Sequence, residues 1–284
     1  MHVGRSMSEP METTQSMPAR FWQMLSIDLA QALRFYSRLP VPALPWEQNP
    51  HALPDFPRLA RVLPLAGLVL GALPALVMVG ALGLDLGPWL AAMLAVGAMT
   101  VTTGAFHEDG LADTADSFGG ATRERRLDIM RDSRIGSFGA AALILALALR
   151  IGALATLISR SDGAAAAAAI LITAALCRTA GLMPLVFLPP ARLEGASYAV
   201  GQPPRESFWT AAGLAAFVAI VLGVLGGLPF SGILLMIVLS SLSGYGMIRL
   251  ADRHIQGQTG DIAGATQQVA EIAALIGLLT VIHP

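Results

Sequence analysis

Residues 62–84 read VLPLAGLVLGALPALVMVGALGL, an apolar run without a charged side chain. A helix needs about 20 such residues to cross the hydrocarbon core of a bilayer. Outward from this run, the chain contains further stretches of similar character at 88–105, 136–159, 164–188, 207–227, 230–248 and 262–282. The sequence therefore predicts an all-α, polytopic integral membrane protein with about six to seven transmembrane helices.

The composition agrees with this fold class and excludes others. Of the 284 residues, 55% are hydrophobic and 13% are charged, whereas soluble domains carry about 25% charged residues. The 18 basic residues are all arginine, and with 19 acids they give a net charge of −1. This balance lacks the basic excess of a nucleic-acid-binding protein. One cysteine, Cys177, excludes an intramolecular disulfide framework and a cysteine-rich metal site.

The polar beginning of the chain is distinct from the apolar remainder. Residues 1–18 lack the apolar core of a secretory signal, and we predict a disordered tail followed by a single membrane-embedded domain over 19–284. Helical spacing predicts an amphipathic helix at 20–38. The segment 40–57 is too rich in proline for regular structure.

The distribution of arginine predicts the orientation in the membrane. Five arginines lie between residues 107 and 135, whereas the turn near 84–88 has none. Cytoplasmic segments carry the excess of positive charge. The two most polar segments outside the tail, 106–135 and 249–261, then emerge on the cytoplasmic face, where we predict the active site.

The segment 106–120 carries the main chemical signal. Asp109, Asp113 and Asp116 are spaced i, i+4 and i+7, which places three carboxylates on one face of a helix. A divalent cation would remove their repulsion, and oxygen ligands favour Mg²⁺ or Mn²⁺ over zinc. An acid-rich helix at a membrane face therefore suggests a metal-held phosphate or diphosphate. A solvated acidic face neutralised by arginines is the structural alternative. His107 is a candidate metal ligand or base, or an ordinary polar contact.

Three further features add candidate residues. Asp132, Ser133 and Arg134 precede the predicted span at 136, where a guanidinium and free helix amides suit phosphate oxygens. In the segment 254–271, small or oxygen-bearing residues stand at the membrane edge: Gly257, Thr259, Gly260 and Asp261. Two arginines fall inside spans. We expect Arg178 to face and pair with the acids, and Arg150 to extend toward the far interface.

Four strings in this order resemble the cobalamin-5′-phosphate synthases, also called adenosylcobinamide-GDP ribazoletransferases. They are LRFYSRLPVP at 33–42, HEDGLADTAD at 107–116, IMRDSRIG at 129–136 and TGDIAGA at 259–265. Together they cover about residues 25–275. Ser117 and Gln256 stand where the family often has glycine.

The resemblance implies a Mg²⁺-dependent enzyme of the bacterial inner membrane. It would join adenosylcobinamide-GDP to α-ribazole or α-ribazole 5′-phosphate and release GMP in late cobalamin biosynthesis. Its partners would be these substrates and membrane lipid, without nucleic acid, and a homo-oligomer is compatible with the sequence. In the resulting hypothesis the metal ligands are drawn from Glu108, Asp109, Asp113, Asp116 and Asp261. The catalytic residues would be Asp116, His107, Arg134 and Arg178, and the substrate-binding residues Asp132, Ser133, Gly257, Thr259 and Gly260.

Two other functions remain open at this point. A CDP-alcohol phosphotransferase or a diphosphate-using prenyltransferase also uses acid-rich helices and Mg²⁺ at a membrane face. The former typically has an arginine after the alanine of its Asp-Gly-x-x-Ala-Arg pattern, where Asp113 follows Ala112 here. A cation transporter could use intramembrane acids, although acids beside arginines favour an anionic substrate.

Overall fold

The structure, a computed structural model, describes residues 17–50, 53–194, 198 and 201–283. The predicted tail therefore lies outside the described residues, except for its last two positions. The described helices are α1 (Met17–Tyr36), α2 (Phe56–Gly83), α3 (Gly87–Thr103), α4 (Phe106–Asp116), α5 (Arg123–Ile129), α6 (Ser137–Arg160), α7 (Gly163–Phe187), α8 (Arg205–Leu225), α9 (Phe230–Ile255) and α10 (Gly260–Leu279). Within the described ranges no strand forms beyond one isolated bridge, so the all-α prediction is confirmed.

Six helices, namely α2 and α6 to α10, are long and apolar enough to cross a membrane. Helices α3 and α4 meet at a bend of 88° and would form a seventh, broken span if counted together. The bend forms because Gly104 and Ala105 both adopt left-handed conformations, with φ of 65° and 58°. The prediction of six to seven spans is confirmed, whereas the bend was not predicted.

Helix α7 lies at the centre of the bundle, and 83% of its apolar window is buried. It packs against α2, α8, α9 and α10. Its many alanines allow neighbouring backbones to approach closely, as in other membrane helix interfaces. At one crossing, a Cβ built on Gly67 of α2 would lie 2.4 Å from the carbonyl oxygen of Ala174. Only a residue without a side chain fits there.

The N-terminal helix is amphipathic, as predicted, and begins slightly earlier. Leu33 and Tyr36 of α1 are buried against the bundle, whereas Trp22 is exposed. The segment from 37 to 50 has no helix, which confirms the prediction for that part of the proline-rich stretch; residues 51 and 52 lie outside the described residues. Arg34 holds this segment through an ion pair with Glu47 at 2.6 Å.

A buried ion-pair network corrects the prediction for Arg150. This side chain is 1% exposed, and its Nη1 donates to Glu108 Oε1 at 2.8 Å while its Nε donates to Glu271 Oε1 at 3.0 Å. The expectation that Arg150 extends to the far interface is wrong. It instead faces the bundle interior, because carboxylates from α4 and α10 compensate its charge there.

Candidate active site

Helix α4 divides the residues of the acidic segment into two groups. Asp109, Asp113 and Asp116 lie on its outer face, where the first is exposed and the other two are partly exposed. His107 and Glu108 are buried on the inner side. The predicted helix and its acidic face are therefore present in the structure. We call the three aspartates, together with Asp261, the outer acids.

Asp261 joins this group because α4 and α10 cross at very short range. A Cβ built on Gly110 would lie 2.8 Å from the carbonyl oxygen of Asp261 and 3.3 Å from the Cα of Gly264. Glycines on both helices permit this approach. Asp261 lies close enough to Asp109 and Asp113 for their negative charges to repel one another. The sequence predicted this juxtaposition, although its residues are far apart in the chain.

Arg192 supplies a positive charge to the outer acids, and sequence reasoning did not propose it as a site residue. Its Nη2 donates to Asp261 Oδ2 at 3.1 Å. Its Nε and Nη1 are buried without a hydrogen-bond partner among the described residues. Arginine suits phosphate oxygens, so the free donors favour an anionic ligand here. The sequence did contain one indication that Arg192 is a site residue. It lies at the predicted cytoplasmic end of a span, on the same side of the membrane as the acids.

The chemistry of the outer acids suits a hard divalent cation. The carboxylates of Asp109 and Asp113 have no hydrogen-bond or ion-pair partner within the described ranges, and carboxylate oxygens are ligands that Mg²⁺ prefers. In this conformation, the described part of the chain brings no three His, Cys, Asp or Glu side chains within reach of one metal ion. Glu108 pairs with Arg150 on the inner side of α4. The metal-ligand set stays a prediction.

Asp116 has structural partners of its own. Its Oδ2 accepts a hydrogen bond from the Gly136 amide at 2.7 Å, and its Oδ1 accepts one from the Gly139 amide at 2.8 Å. These amides belong to the start of α6, where the sequence predicted free donors for a substrate anion. Asp116 engages them instead. Because each carboxylate oxygen retains further acceptor capacity, the catalytic assignment of Asp116 stays a prediction.

Asp132, Ser133 and Arg134 lie in the connection between α5 and α6. The Nε of Arg134 donates to Asp132 Oδ1 at 3.0 Å and to Oδ2 at 3.1 Å. These hydrogen bonds from Arg134 lower the pKa of Asp132 to about 2. Arg134 and Ser133 are exposed, and Arg134 makes no described contact with the outer acids. Their roles at the substrate stay predictions.

Two of the arginines that predicted the orientation in the membrane also hold the cytoplasmic segments together. Arg123 Nε donates to the carbonyl of Ile255 at 2.8 Å, and Arg126 Nη1 donates to that of His254 at 2.9 Å. These carbonyls end α9, where helix geometry leaves them without partners. Arg123 and Arg126 therefore have a structural role besides indicating orientation. Arg125, by contrast, is exposed.

The connection from α9 to α10 and the first residue of α10 include three of the predicted substrate-binding residues. A Cβ built on Gly257 would lie 2.7 Å from the carbonyl oxygen of Pro189, so this glycine allows close contact with the segment after α7. The hydroxyl of Thr259 accepts a hydrogen bond from the Ile262 amide and caps α10. Gly260 borders open space. Of the three, Gly260 is the one whose surroundings leave room for a ligand.

His107 and Arg178 line a cleft on the inner side of α4. The cleft lies between α1, α2, α4, α7 and α10. Arg178 Nη1 donates to the carbonyl of Ala174 at 2.9 Å. The expected pairing of Arg178 with an acid is absent among the described residues, because it lies on the His107 side of α4 and Glu108 there is engaged by Arg150.

Comparison with known proteins agrees with the resemblance found in the sequence. The model of a family described as Cobalamin-5-phosphate synthase matches residues 28–279. The chain belongs to this family. A relative from Azorhizobium caulinodans, named adenosylcobinamide-GDP ribazoletransferase, is 50% identical over 90% of this chain and 97% of its own length.

Two other relatives carry the same name as the Azorhizobium protein. The one from Xanthobacter autotrophicus is 49% identical over 89% of this chain and 95% of its own length. The one from Brucella anthropi is 43% identical over 89% of this chain and 96% of its own length. No solved structure matches the chain. The chain is a multi-pass membrane enzyme of the cobalamin-5-phosphate synthase family, a transferase of cobalamin biosynthesis.

Proposed function

We propose that this enzyme transfers the phosphocobinamide group of adenosylcobinamide-GDP to α-ribazole or its 5′-phosphate and releases GMP. The proposed setting is the cytoplasmic face of the bacterial inner membrane. The names of the relatives support the substrates. The observation that carries the proposal is the crossing of α4 and α10, which gathers Asp109, Asp113 and Asp261 beside Arg192. Oxygen ligands next to a partly free guanidinium fit a metal-held diphosphate.

In the proposed reaction, a ribose hydroxyl of ribazole forms a bond to the corrinoid-linked phosphorus of the donor. The bond from this phosphorus to the bridging oxygen breaks, and GMP leaves with that oxygen. The hydroxyl proton passes to a base, for which Asp116 and His107 are the candidates. Since phosphoryl transfer has a loose transition state, positioning contributes more than the strength of the base.

The residues of the chain position the two substrates in this proposal. Asp109, Asp113 and Asp261 would hold Mg²⁺, which when bound would neutralise negative charge on the diphosphate. Arg192 binds non-bridging phosphate oxygens through the two donors that lack protein partners. Arg134 would need to leave Asp132 to reach the same phosphates, whereas Arg192 already lies at the outer acids.

The test measures GMP release by the detergent-purified protein, given adenosylcobinamide-GDP and α-ribazole with and without Mg²⁺. We expect release that requires the metal and both substrates and yields a new corrinoid product. Asp113→Asn should abolish turnover without loss of folding. Asp128→Asn is the matched control, because Asp128 is an exposed acid of the neighbouring helix α5. Near-normal turnover by Asp113→Asn would refute the site. No release by folded wild-type protein would refute the function, and CDP-alcohols and cation transport would be tested next.

A further inference from the structure

We infer that the cleft on the inner side of α4 binds the flat aromatic base of the ribazole acceptor. This inference rests on the proposed function and names a subsite for one of its substrates. Four aromatic side chains form one side of the cleft: Phe35 and Tyr36 of α1, Phe56 of α2 and Phe106 of α4. The rings of Phe35 and Phe56 meet edge to face at 5.4 Å between centroids, and those of Phe35 and Phe106 at 6.0 Å. Such a wall offers stacking surfaces to a planar ligand.

Two polar atoms of the cleft, one on His107 and one on Arg178, have no hydrogen-bond partner among the described residues. His107 and Arg178 are 4% and 2% exposed, and the two atoms are His107 Nε2 and Arg178 Nε. Unpaired buried polar groups are unfavourable unless a ligand or water satisfies them. A ring nitrogen could accept a hydrogen bond from the guanidinium of Arg178. The cleft therefore matches a mostly apolar ring with few hydrogen-bonding atoms.

The position of the cleft connects it to the outer acids. Gly260 borders the cleft, and the next residue along α10 is Asp261. A base held among the rings would leave its ribose at this edge, within reach of the site where the diphosphate is proposed to bind. The base and the reacting hydroxyl would then occupy two sides of the same helix crossing.

The chemistry of the cleft favours this base over other candidate ligands. The base of ribazole is a dimethylbenzimidazole, which has two methyl groups and one free ring nitrogen. Guanine, the base of the donor, carries amino and carbonyl groups around its ring, whereas the polar side chains of the cleft are His107, Arg178 and Gln267 among leucine, glycine and aromatic residues. A lipid chain would fill apolar space but would leave Arg178 Nε and His107 Nε2 without hydrogen-bond partners.

The experiment measures binding of α-ribazole to the purified protein by calorimetry, without donor. Phe106→Ala is the first variant, because this ring is 44% exposed and its loss should leave the fold intact. We expect the Kd of α-ribazole to rise about tenfold, as loss of base stacking on a ring predicts, with donor affinity unchanged. Phe217→Ala is the matched control, since Phe217 of α8 is 64% exposed and lies outside the cleft. Phe217→Ala should change neither the affinity for α-ribazole nor the affinity for the donor.

A second measurement tests the contact with Arg178. The wild-type protein should bind α-ribazole about tenfold more tightly than an indole analogue that lacks the free ring nitrogen, and Arg178→Gln should abolish this difference. Unchanged α-ribazole affinity in Phe106→Ala, or a loss confined to the donor, would overturn the inference. GMP release by the wild-type protein is scored separately. If the inference about the cleft is wrong but the proposed function is right, the wild-type protein still releases GMP. If the proposed function is wrong, the wild-type protein neither releases GMP nor binds α-ribazole.

Discussion

Gln256 ends α9 with φ of 54° and ψ of 41°, a left-handed conformation. This conformation costs a residue with a side chain about 1 kcal/mol or more, and glycine adopts it freely. Gln256→Gly should therefore stabilise the protein by about 1 kcal/mol and raise Tm in detergent by a few degrees. Ser117→Gly should do the opposite, because Ser117 has φ of −58° and its hydroxyl donates to Thr114. Equal changes in Tm for both variants would contradict this explanation.

A second prediction at the residue scale compares two arginines. Arg192→Gln should lower kcat/KM about 100-fold, because it removes charge-assisted hydrogen bonds to the phosphates. Arg134→Gln should lower it less than fivefold if Arg134 keeps its exposed pairing with Asp132. Steady-state kinetics with varied adenosylcobinamide-GDP would measure both. A larger loss for Arg134→Gln would restore the assignment made from the sequence.

The outer acids show which properties of single residues could be predicted from the sequence. The spacing of Asp109, Asp113 and Asp116 was sufficient to predict their common face, since helical periodicity is a local property. The partner of Asp261 was not predictable in the same way. Arg192 lies 69 residues away, and the two come together because the segment after α7 pairs with Gln258 just before α10. The sequence was sufficient to predict which side chains share a helix face. It was not sufficient to predict which side chains pair with one another, because the pairs form through tertiary structure.

The crossing of α4 and α10 gives a prediction at the scale of elements. A methyl group at position 110 would meet the backbone of Asp261, which cannot move aside as a flexible side chain can. Gly110→Ala should separate the two helices and lower kcat at least tenfold, while the protein remains in the membrane and folded. Gly97→Ala in α3 is the control, because nothing lies within 4 Å of its Cβ position. Matching activities of the two variants would exclude a functional role for the close crossing.

The elements were predicted unevenly, and the bend between α3 and α4 shows why. Apolar length identified the spans, because the bilayer imposes it on each helix separately. The 88° bend depends on left-handed backbone at Gly104 and at Ala105. Glycine permits this conformation, but alanine gives no sign of it in a sequence. The direction of α4, and therefore the separation of its inner and outer groups, required the structure.

At the scale of the whole molecule, Arg150 connects three helices through Glu108 and Glu271. Arg150→Met should destabilise the protein by about 3–5 kcal/mol, because it leaves buried carboxylates without a counter-charge. Combining it with Glu108→Gln and Glu271→Gln should recover much of that stability, since no buried charge then remains unpaired. Unfolding in a titration with SDS would measure the difference. If the triple variant were as unstable as the single one, charge compensation would not explain the effect.

Helix α10 has a consequence for the biogenesis of this enzyme. It follows the other described helices in the chain, and it provides Asp261 to the outer acids, Gly264 to the close crossing and Glu271 to Arg150. While translation is incomplete, Arg150 and Glu108 can already neutralise each other as a pair, so the nascent chain can reside in the membrane. A ribosome that stops before residue 260 nevertheless leaves a polypeptide without its proposed catalytic centre. The proposed catalytic centre therefore cannot assemble until α10 has been synthesised.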